Sequence, residues 1–292
     1  MNYYNRGGGF FNSLPRVTRI LLIINIAAFI LTWLLQSMRM VDLNEWLGLH
    51  SFMPANYSSP ISTSVKATTF SPIQLVTHMF LHGGLMHIFF NMFGLVIFGK
   101  VLETVLGEKK FYILYFASGL GAALLQLGVN YYFDASLAQQ LMAFYHHPDP
   151  EVYNSLLRKM DYQMYTSYDT VQRNLLLWYD NPDNTLYMKQ ALVHADSLFK
   201  ARISIPMVGA SGALMGILAA FALYFPNVEL MLLFIPIPIK AKYFIPIFVV
   251  ASLFLGVSHV AFNNVAHFAH LGGAIFGFII AYIWKRNQFK IL

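Results

Sequence analysis

Residues 208–225 read VGASGALMGILAAFALYF, a run without a charged residue that carries one serine and three glycines. A run of this length approaches the ~20 residues that an α-helix needs to cross the hydrocarbon core of a bilayer. An unpaired hydroxyl in hydrocarbon is unfavourable, so Ser211 needs either a hydrogen-bond partner or a functional role. The run therefore predicts a membrane helix and makes Ser211 the first candidate for chemistry.

Five further apolar runs accompany this one, at residues 17–36, 85–102, 111–129, 243–257 and 265–284. The composition agrees, because the 292 residues are 57% hydrophobic and only 11% charged, whereas soluble proteins carry about a quarter charged residues. The first run lacks a small-residue cleavage pattern at its end and is interpreted as a retained helix. We predict an all-α fold, a six-transmembrane helical bundle whose fourth and fifth helices are near the short limit for a crossing.

Four segments follow from these runs. Residues 1–16 form an N-terminal tail; residues 17–129 hold transmembrane helices 1–3 with an outer loop at 37–84; residues 130–206 form a polar, tyrosine-rich insertion; residues 207–292 hold helices 4–6 and a short tail. Within the insertion, apolar residues recur at helical spacing in 152–164 and 185–199. We therefore expect an extracytoplasmic and largely helical insertion between helices 3 and 4.

The basic residues determine the expected orientation. The chain has a net charge of +6, and its positive charge concentrates in the N-terminal tail, residues 100–110, residues 226–242 and the C-terminal tail. By the positive-inside rule both termini are then cytoplasmic, and we expect a multi-pass protein of a bacterial cytoplasmic membrane. Because these cations flank apolar runs, they indicate membrane orientation and no nucleic-acid partner. The absence of cysteine excludes a thiol nucleophile and a disulfide framework.

Polar side chains within three runs are expected to lie at one depth. His87 and Asn91 follow His82 at the start of the second run, and His267 and His270 open the sixth. In a six-helix topology the second, fourth and sixth helices run in the same direction. At ~1.5 Å per residue, the histidines, Asn91 and Ser211 each lie within about 10 Å of the outer helix end. The sequence predicts one polar cluster below the outer surface.

Glycine pairs indicate which helices meet at this cluster. Gly212 with Gly216, and Gly273 with Gly277, both have the spacing that allows membrane helices to pack closely. One pair directly follows Ser211 and the other directly follows His270. We expect helices 4 and 6 to touch with Ser211 facing His270.

The chemistry of these residues favours a serine nucleophile. Serine reacts poorly until a base takes its proton, and histidine is the usual base. Gly209 would permit a sharp turn before Ser211, so that backbone N–H groups at the helix start could face an oxyanion. His87 and Asn91 are the remaining donors, and because no carboxylate is available to orient His270 we expect a dyad. Taken singly, a serine in a membrane helix more often bonds its own backbone, and His267 is either a polar neighbour of the site or a packed side chain.

Three strings, HGGLMHIFFNM at 82–92, GASG at 209–212 and AHLGGAIFG at 269–277, resemble the rhomboid family of intramembrane serine proteases in residues and order. The resemblance implies Ser211 as nucleophile and His270 as general base, with His87, Asn91 and the Ser211 N–H as the oxyanion hole. It assigns His82 to shaping the outer loop, and it implies no cofactor and no metal. It further implies cleavage of membrane-anchored protein substrates near the outer face, with access past the fifth helix and the turn at 258–264.

Two departures from the family pattern stand out. Residues 73–77 read IQLVT, where many relatives carry Trp-Arg, and the insertion at 130–206 is longer than in the core pattern. From its position directly before Ser211, the insertion is expected to restrict or recruit substrates.

Two other functions fit the sequence less well. The first is a catalytically inactive rhomboid-like protein that binds transmembrane helices, although such branches typically lose the serine or the histidine. The second is a transporter of a polar solute or metal, which usually shows carboxylates or broken helices near the membrane midplane.

Overall fold

The computed structural model describes residues 9–61, 65–160, 168–232, 235–257 and 267–288. Within these ranges the chain is predominantly helical. The part that was predicted to form a bundle contains helices α1 (Arg16–Ser37), α4 (Leu85–Gly94), α5 (Lys100–Leu106), α6 (Glu108–His146), α10 (Ser211–Tyr224), α11 (Ala241–Val257) and α12 (His267–Gln288). Two short helices, α2 (Leu43–Leu47) and α3 (Gln74–Thr77), lie in the loop between α1 and α4.

Within the described residues, four helices are long and apolar enough to cross a membrane: α1, the continuous helix Leu85–Leu106, α6 and α12. A π-helical segment at Leu95–Gly99 joins α4 to α5 within the second of these. α10 and residues Ala241–Ala251 of α11 are shorter apolar helices, and they correspond to the two runs that were expected to be short. The count of six crossings remains a prediction.

The surface of α1 is typical of a helix in lipid. The side chains of Ile23, Leu31 and Trp33 are at least half exposed on the surface of the protein. Contact between such large apolar side chains and water is unfavourable. A helix with large apolar side chains on its outer face is stable when hydrocarbon surrounds it. The chain is accordingly an integral membrane protein.

The described chain forms two compact units. The first comprises Met1–Leu49, Pro72–Gln126 and Met207–Leu292, and the second comprises His50–Ser71 and Leu127–Pro206. The unit boundary at Gln126 lies within α6, which continues without a break to His146, whereas the apolar run had suggested an end near residue 129. The composition change at residue 130 marks the end of the apolar run but not of the helix, because a helix can continue with a more polar surface.

At the centre of the first unit, α10 and α12 pack with their backbones in contact. A β-carbon on Gly273 would overlap the carbonyl oxygen of Gly212, and one on Gly277 would overlap the backbone of Gly216. Only glycine fits at these positions, so the predicted contact between the fourth and sixth helices is confirmed. The small residues remove the side chains that otherwise hold helix axes 8–10 Å apart.

A third helix, α6, shares this interface. A β-carbon on Gly212 would lie 2.5 Å from the Ala122 β-carbon, and one on Gly272 would lie 2.7 Å from the carbonyl oxygen of Gly121. The small residues Gly121 and Ala122 of α6 therefore allow α6 to approach Gly272 and Gly212 closely. This role of α6 was not predicted from the sequence.

The start of α1 is held by a buried carboxylate. The Glu103 side chain is 2% exposed and accepts hydrogen bonds from the Val17 N–H at 2.8 Å and from the Thr18 N–H and hydroxyl, both at 2.7 Å. The first N–H groups of a helix lack partners within the helix, and a carboxylate is favoured there by the helix dipole. Glu103 therefore ties the end of the second apolar helix to the beginning of the first.

A short β-hairpin follows α10. Strands β1 (Glu229–Leu232) and β2 (Ile235–Lys240) pair antiparallel, with Glu229 opposite Lys240. Residues 226–242 were expected to form a loop, and no strand was predicted. The two prolines of β2 are unfavourable in a central strand but are tolerated in this two-stranded pairing, where both strands are edges.

The second unit has its own core. It combines residues 127–146 of α6 with α7 (Pro150–Lys159), α8 (Tyr168–Asp180) and α9 (Thr185–Ile203). Phe144, Tyr153 and Trp178 are buried at its centre. Asp149 caps α7 by accepting from the Glu151 and Val152 N–H groups at 2.8 and 3.1 Å, which places the start of α7 at Pro150.

The segment His50–Ser71 belongs to this second unit. Tyr57 donates its hydroxyl to the Asp196 carboxylate at 2.5 Å, and Tyr145 and Lys200 donate to the same carboxylate, each at 2.7 Å. Burial acts to raise the pKa of Asp196, but the hydrogen bonds from Lys200 and the two tyrosines outweigh burial and lower the pKa. The predicted outer loop at 37–84 is thus divided between the two units.

Candidate active site

The segment before α10 is extended and hydrogen-bonded on both sides. Leu49 and Met207 exchange backbone hydrogen bonds of 2.9 and 2.8 Å, and the Gly209 N–H donates to the His78 carbonyl at 2.9 Å. α10 then begins at Ser211. The apolar run begins at residue 208, but the helix begins only after the expected turn at Gly209, as predicted. The Gly209 N–H is bonded to His78 of another segment and not to the helix.

Gly209 occupies a conformation that favours glycine. Its φ angle is +128°, a region that residues with a β-carbon rarely adopt. A β-carbon there would also lie 2.7 Å from His87 Nε2 and 3.7 Å from Ser211 Oγ. The same small space therefore borders the histidine nitrogen and the serine oxygen.

Ser211 and His270 meet across the interface between α10 and α12. His270 Nε2 lies 2.9 Å from Ser211 Oγ, within hydrogen-bond distance. Ser211 is the first residue of α10, and His270 is in the first turn of α12. The close approach at Gly212 and Gly273 brings the two helix starts together. A histidine nitrogen at this distance can take the proton of the hydroxyl.

His87 and Asn91 lie one turn apart on α4. His87 Nδ1 faces the Gly83 N–H at 3.4 Å, a long hydrogen bond. If Nδ1 accepts, the proton of the neutral ring is on Nε2, the atom beside Gly209. The Asn91 side chain is 4% exposed, and its amide nitrogen donates to the His87 carbonyl at 3.1 Å. The second hydrogen of that amide is not used by this bond.

His82 and His267 pack beside the two site histidines. The ring centroids of His82 and His87 are 5.1 Å apart, and those of His267 and His270 are 6.4 Å apart, both edge to face. His82 is 2% exposed, and burial, with a smaller contribution from His87, lowers the pKa of His82 to about 3. His82 is therefore a neutral, packed side chain near neutral pH.

Two residues of this region were given no role from the sequence. His78 is 2% exposed; its Nδ1 donates to the Gln74 carbonyl at 2.7 Å, and its own carbonyl accepts from Gly209. Gln126 Oε1 accepts the Ala269 N–H at 3.0 Å, one residue before His270. Gln126 had a usable signal, because it is an amide inside the apolar run 111–129. No local pattern distinguishes His78.

The access route implied by the resemblance, at residues 258–264, lies outside the described residues. Within the described ranges, no group of three or more histidine, aspartate or glutamate side chains is arranged to hold a metal ion.

A helical bundle with a lipid-like surface and a serine–histidine pair between glycine-faced helices defines an integral membrane protein with a polar site. The model of the Rhomboid domain matches residues 69–139 and 185–287, more than half of the chain. The chain belongs to the rhomboid family. Residues 140–184, in the second unit, are not covered by this match.

Two relatives are similar in sequence. An uncharacterised mitochondrial rhomboid protein of Schizosaccharomyces pombe is 25% identical over 96% of this chain and 68% of its own length. The mitochondrial RHOMBOID-like protein 6 of Arabidopsis thaliana is 40% identical over 18% of this chain and 17% of its own length. Both names say mitochondrial, so the expected bacterial cytoplasmic membrane does not fit these relatives, whereas the expectation of a membrane protein holds.

Proposed function

We propose that this chain is an intramembrane serine endopeptidase that cleaves membrane-anchored protein substrates near the outer face of the membrane. The observation that carries the proposal is the 2.9 Å separation of His270 Nε2 and Ser211 Oγ. Membership of the rhomboid family supports the same reaction.

In the proposed mechanism Ser211 Oγ attacks the carbonyl carbon of the scissile peptide bond. His270 Nε2 takes the hydroxyl proton as the C–O bond forms, and the carbonyl oxygen becomes an oxyanion. His270 then gives the proton to the leaving amine, and the C–N bond breaks. A water molecule then attacks the carbonyl carbon of the acyl-enzyme while His270 Nε2 takes its proton. The ester bond to Ser211 Oγ breaks, His270 returns the proton to Oγ, and the carboxylic acid product leaves.

The oxyanion would lie in the small space beside Gly209. His87 Nε2 borders this space, and the Ser211 N–H at the start of α10 has no partner within the helix. The Asn91 side-chain amide donates one hydrogen to the His87 backbone carbonyl. Its second amide hydrogen could be donated to the oxyanion. One such donor contributes on the order of 3 kcal/mol, or ~10²-fold in rate. We assign these three groups to the oxyanion hole.

The histidine base is proposed to act without an acidic partner. Gln126 holds the Ala269 N–H and so positions the first turn of α12, from which His270 projects. In this dyad the orientation of the imidazole comes from helix packing rather than from a carboxylate.

The test compares wild type with Ser211→Ala and His270→Ala in vesicles that contain a single-span substrate. We expect cleavage, and labelling by a serine-directed fluorophosphonate, only in wild type. Ser155→Ala, at an exposed serine of the second unit, is the matched control and should cleave normally. Cleavage by Ser211→Ala would refute the mechanism. A wild type that binds the substrate helix but neither cleaves nor labels would instead support the inactive helix-binding protein.

A further inference from the structure

Basic side chains collect at one end of the first unit, where α1 begins and α12 ends. Arg16 of α1 lies 3.6 Å from Glu108 of α6, and Lys110 Nζ of α6 lies 5.9 Å from the centroid of the Trp284 ring of α12. Three helix ends that are far apart in sequence therefore meet here.

The start of α11 joins the same end. Lys285 Nζ donates to the Leu223 carbonyl at 2.7 Å and lies 5.7 Å from the centroid of the Tyr224 ring. The Lys242 N–H donates to the carbonyl of Pro226, two residues further along the chain from Tyr224. The ends of α10 and α12 and the beginning of α11 are thus linked.

We define the basic rim as Lys109, Lys110, Lys242 and Arg286. Lys109, Lys242 and Arg286 are exposed, and Lys110 is half-buried against Trp284. Lys240 is left out because Glu229 lies opposite it in the hairpin.

The rim cations do not take part in the ion pairs found among the described residues. Among the described residues the ion pairs are Arg16–Glu108, Lys200–Asp196 and Arg202–Asp134, and none of them includes a rim residue. Glu103 is already engaged by Val17 and Thr18. Within the described ranges, the rim cations are thus available to an anion from outside the chain.

Aromatic and apolar side chains beside the basic rim indicate which kind of anion it would bind. Lys242 Nζ lies 5.1 Å from the centroid of the Tyr243 ring, so cations and aromatic rings are paired at both Lys110 and Lys242. Tyr282 and Ile283, just before Trp284, are about half exposed on the surface of the apolar helix α12. Tryptophan and tyrosine rings next to basic residues are typical of the headgroup level of a bilayer.

We propose that the basic rim is a binding site for anionic phospholipids. The rim cations contact the lipid phosphate, and the apolar surface of α12 beside Trp284 contacts the glycerol and acyl chains. A free phosphate would use only the first of these contacts, which is why a lipid is the better ligand. The proposal does not depend on proteolytic activity.

The test measures lipid retention by native mass spectrometry of the full chain in neutral detergent, with phosphatidylglycerol and phosphatidylcholine as competing probes. We expect wild type to retain phosphatidylglycerol about tenfold or more over phosphatidylcholine, and to lose this preference in about 0.5 M salt, where exposed charges are screened. The variant K109Q/K110Q/R286Q should lose the preference, whereas K109R/K110R should keep it.

The matched control R158Q/R173Q/K189Q removes three exposed positive charges from the second unit and should behave like wild type. Three results would overturn the proposal. They are a wild type without preference for the anionic lipid, a control that loses the preference as fully as the rim variant, and displacement of the lipid by glycerol 3-phosphate at comparable concentration. Because the wild-type result stands alone, misfolding of a variant would not leave the question open.

Discussion

The side-chain oxygen of Gln126 accepts the backbone N–H of Ala269 at 3.0 Å, across the interface between α6 and α12. The bond occupies a donor in the first turn of α12 that no residue of the helix itself can satisfy. It lies one residue from His270, so a side chain on α6 helps to determine where the proposed base stands.

Replacing Gln126 tests this positioning role. Gln126→Leu keeps a similar volume but leaves the Ala269 N–H buried without an acceptor, which costs about 1–3 kcal/mol. We expect lower thermal stability. We also expect kcat to fall more than KM changes, because His270 would move relative to Ser211 while the residues that contact the substrate stay the same. Gln139→Leu, at an exposed position, is the control. Unchanged kcat in Gln126→Leu would contradict a positioning role.

The interface of α10 and α12 should not tolerate a methyl group. In Gly273→Ala the new β-carbon would overlap the Gly212 carbonyl oxygen, and overpacking of this kind typically costs about 1–3 kcal/mol. Because backbone atoms cannot move aside, we expect the helices to separate and fluorophosphonate labelling of Ser211 to fall with stability. The measurements are thermal unfolding in detergent and the labelling rate.

Gly128→Ala is the matched control for that change. It is also a helical glycine, but a β-carbon there meets no atom within 4 Å. Alanine is favoured over glycine in a helix by about 0.5–1 kcal/mol, so this variant should be as stable as wild type or slightly more stable. Equal destabilisation by both substitutions would show that the glycine contact is not the cause.

Stability should fall on mild acidification because of His78. Burial lowers the pKa of His78 from 6.5 to about 4. Between these values the unfolded chain binds a proton that the folded chain does not, so the free energy of unfolding decreases as pH falls from 6.5 towards 4. The slope is about 1.4 kcal/mol per pH unit for one such group, and above 6.5 the effect vanishes.

Thermal unfolding at a series of pH values, with His78→Gln beside wild type, measures this contribution. The glutamine variant keeps the backbone carbonyl that accepts from Gly209 but removes the titrating ring, so its pH dependence should be shallower between 6.5 and 4. His146→Gln, at an exposed histidine, should retain the wild-type slope. Parallel curves for His78→Gln and wild type would rule out the contribution.

The orientation predicted from the charges can be measured directly because the chain contains no cysteine. We expect Lys109→Cys to react with a membrane-impermeant maleimide only after the vesicle or cell is opened to the inner side, and Ser155→Cys to react from the outer side. The positive-inside rule is the physical basis. Wild type supplies a background without labelling, and reaction of both variants from the same side would refute the topology.

Much of the fold could be predicted from local pattern. The apolar runs at 17–36, 85–102 and 265–284 correspond to helices of spanning length, and the short runs at 208–225 and 243–257 correspond to the two short apolar helices. The prediction succeeded because burial in lipid is read from composition and length alone. The glycine pairs also identified the two helices in contact, because Gly-xxx-Gly spacing leaves a helix face without side chains, against which another membrane helix can pack closely.

The partners in contacts between distant segments were not predictable, even where a residue such as Gln126 was recognisable as unusual. The hydrogen bond from Gly209 to His78, the acceptor role of Gln126 and the inclusion of residues 50–71 in the second unit each join parts of the chain that have no local relation. Periodicity states which face of a helix is buried but not which atoms cover it. It also does not mark where α6 ends.

The amino-acid sequence by itself determined that the chain enters a membrane as a helical bundle, and which serine and histidine carry the candidate chemistry, because hydrophobicity, small-residue spacing and rare polar groups are properties of single segments. The tertiary structure alone decided that Ser211 Oγ and His270 Nε2 stand 2.9 Å apart, and that Gly209 leaves a space beside His87. Such distances result from how several helices and a backbone turn pack at once, and no single segment encodes them.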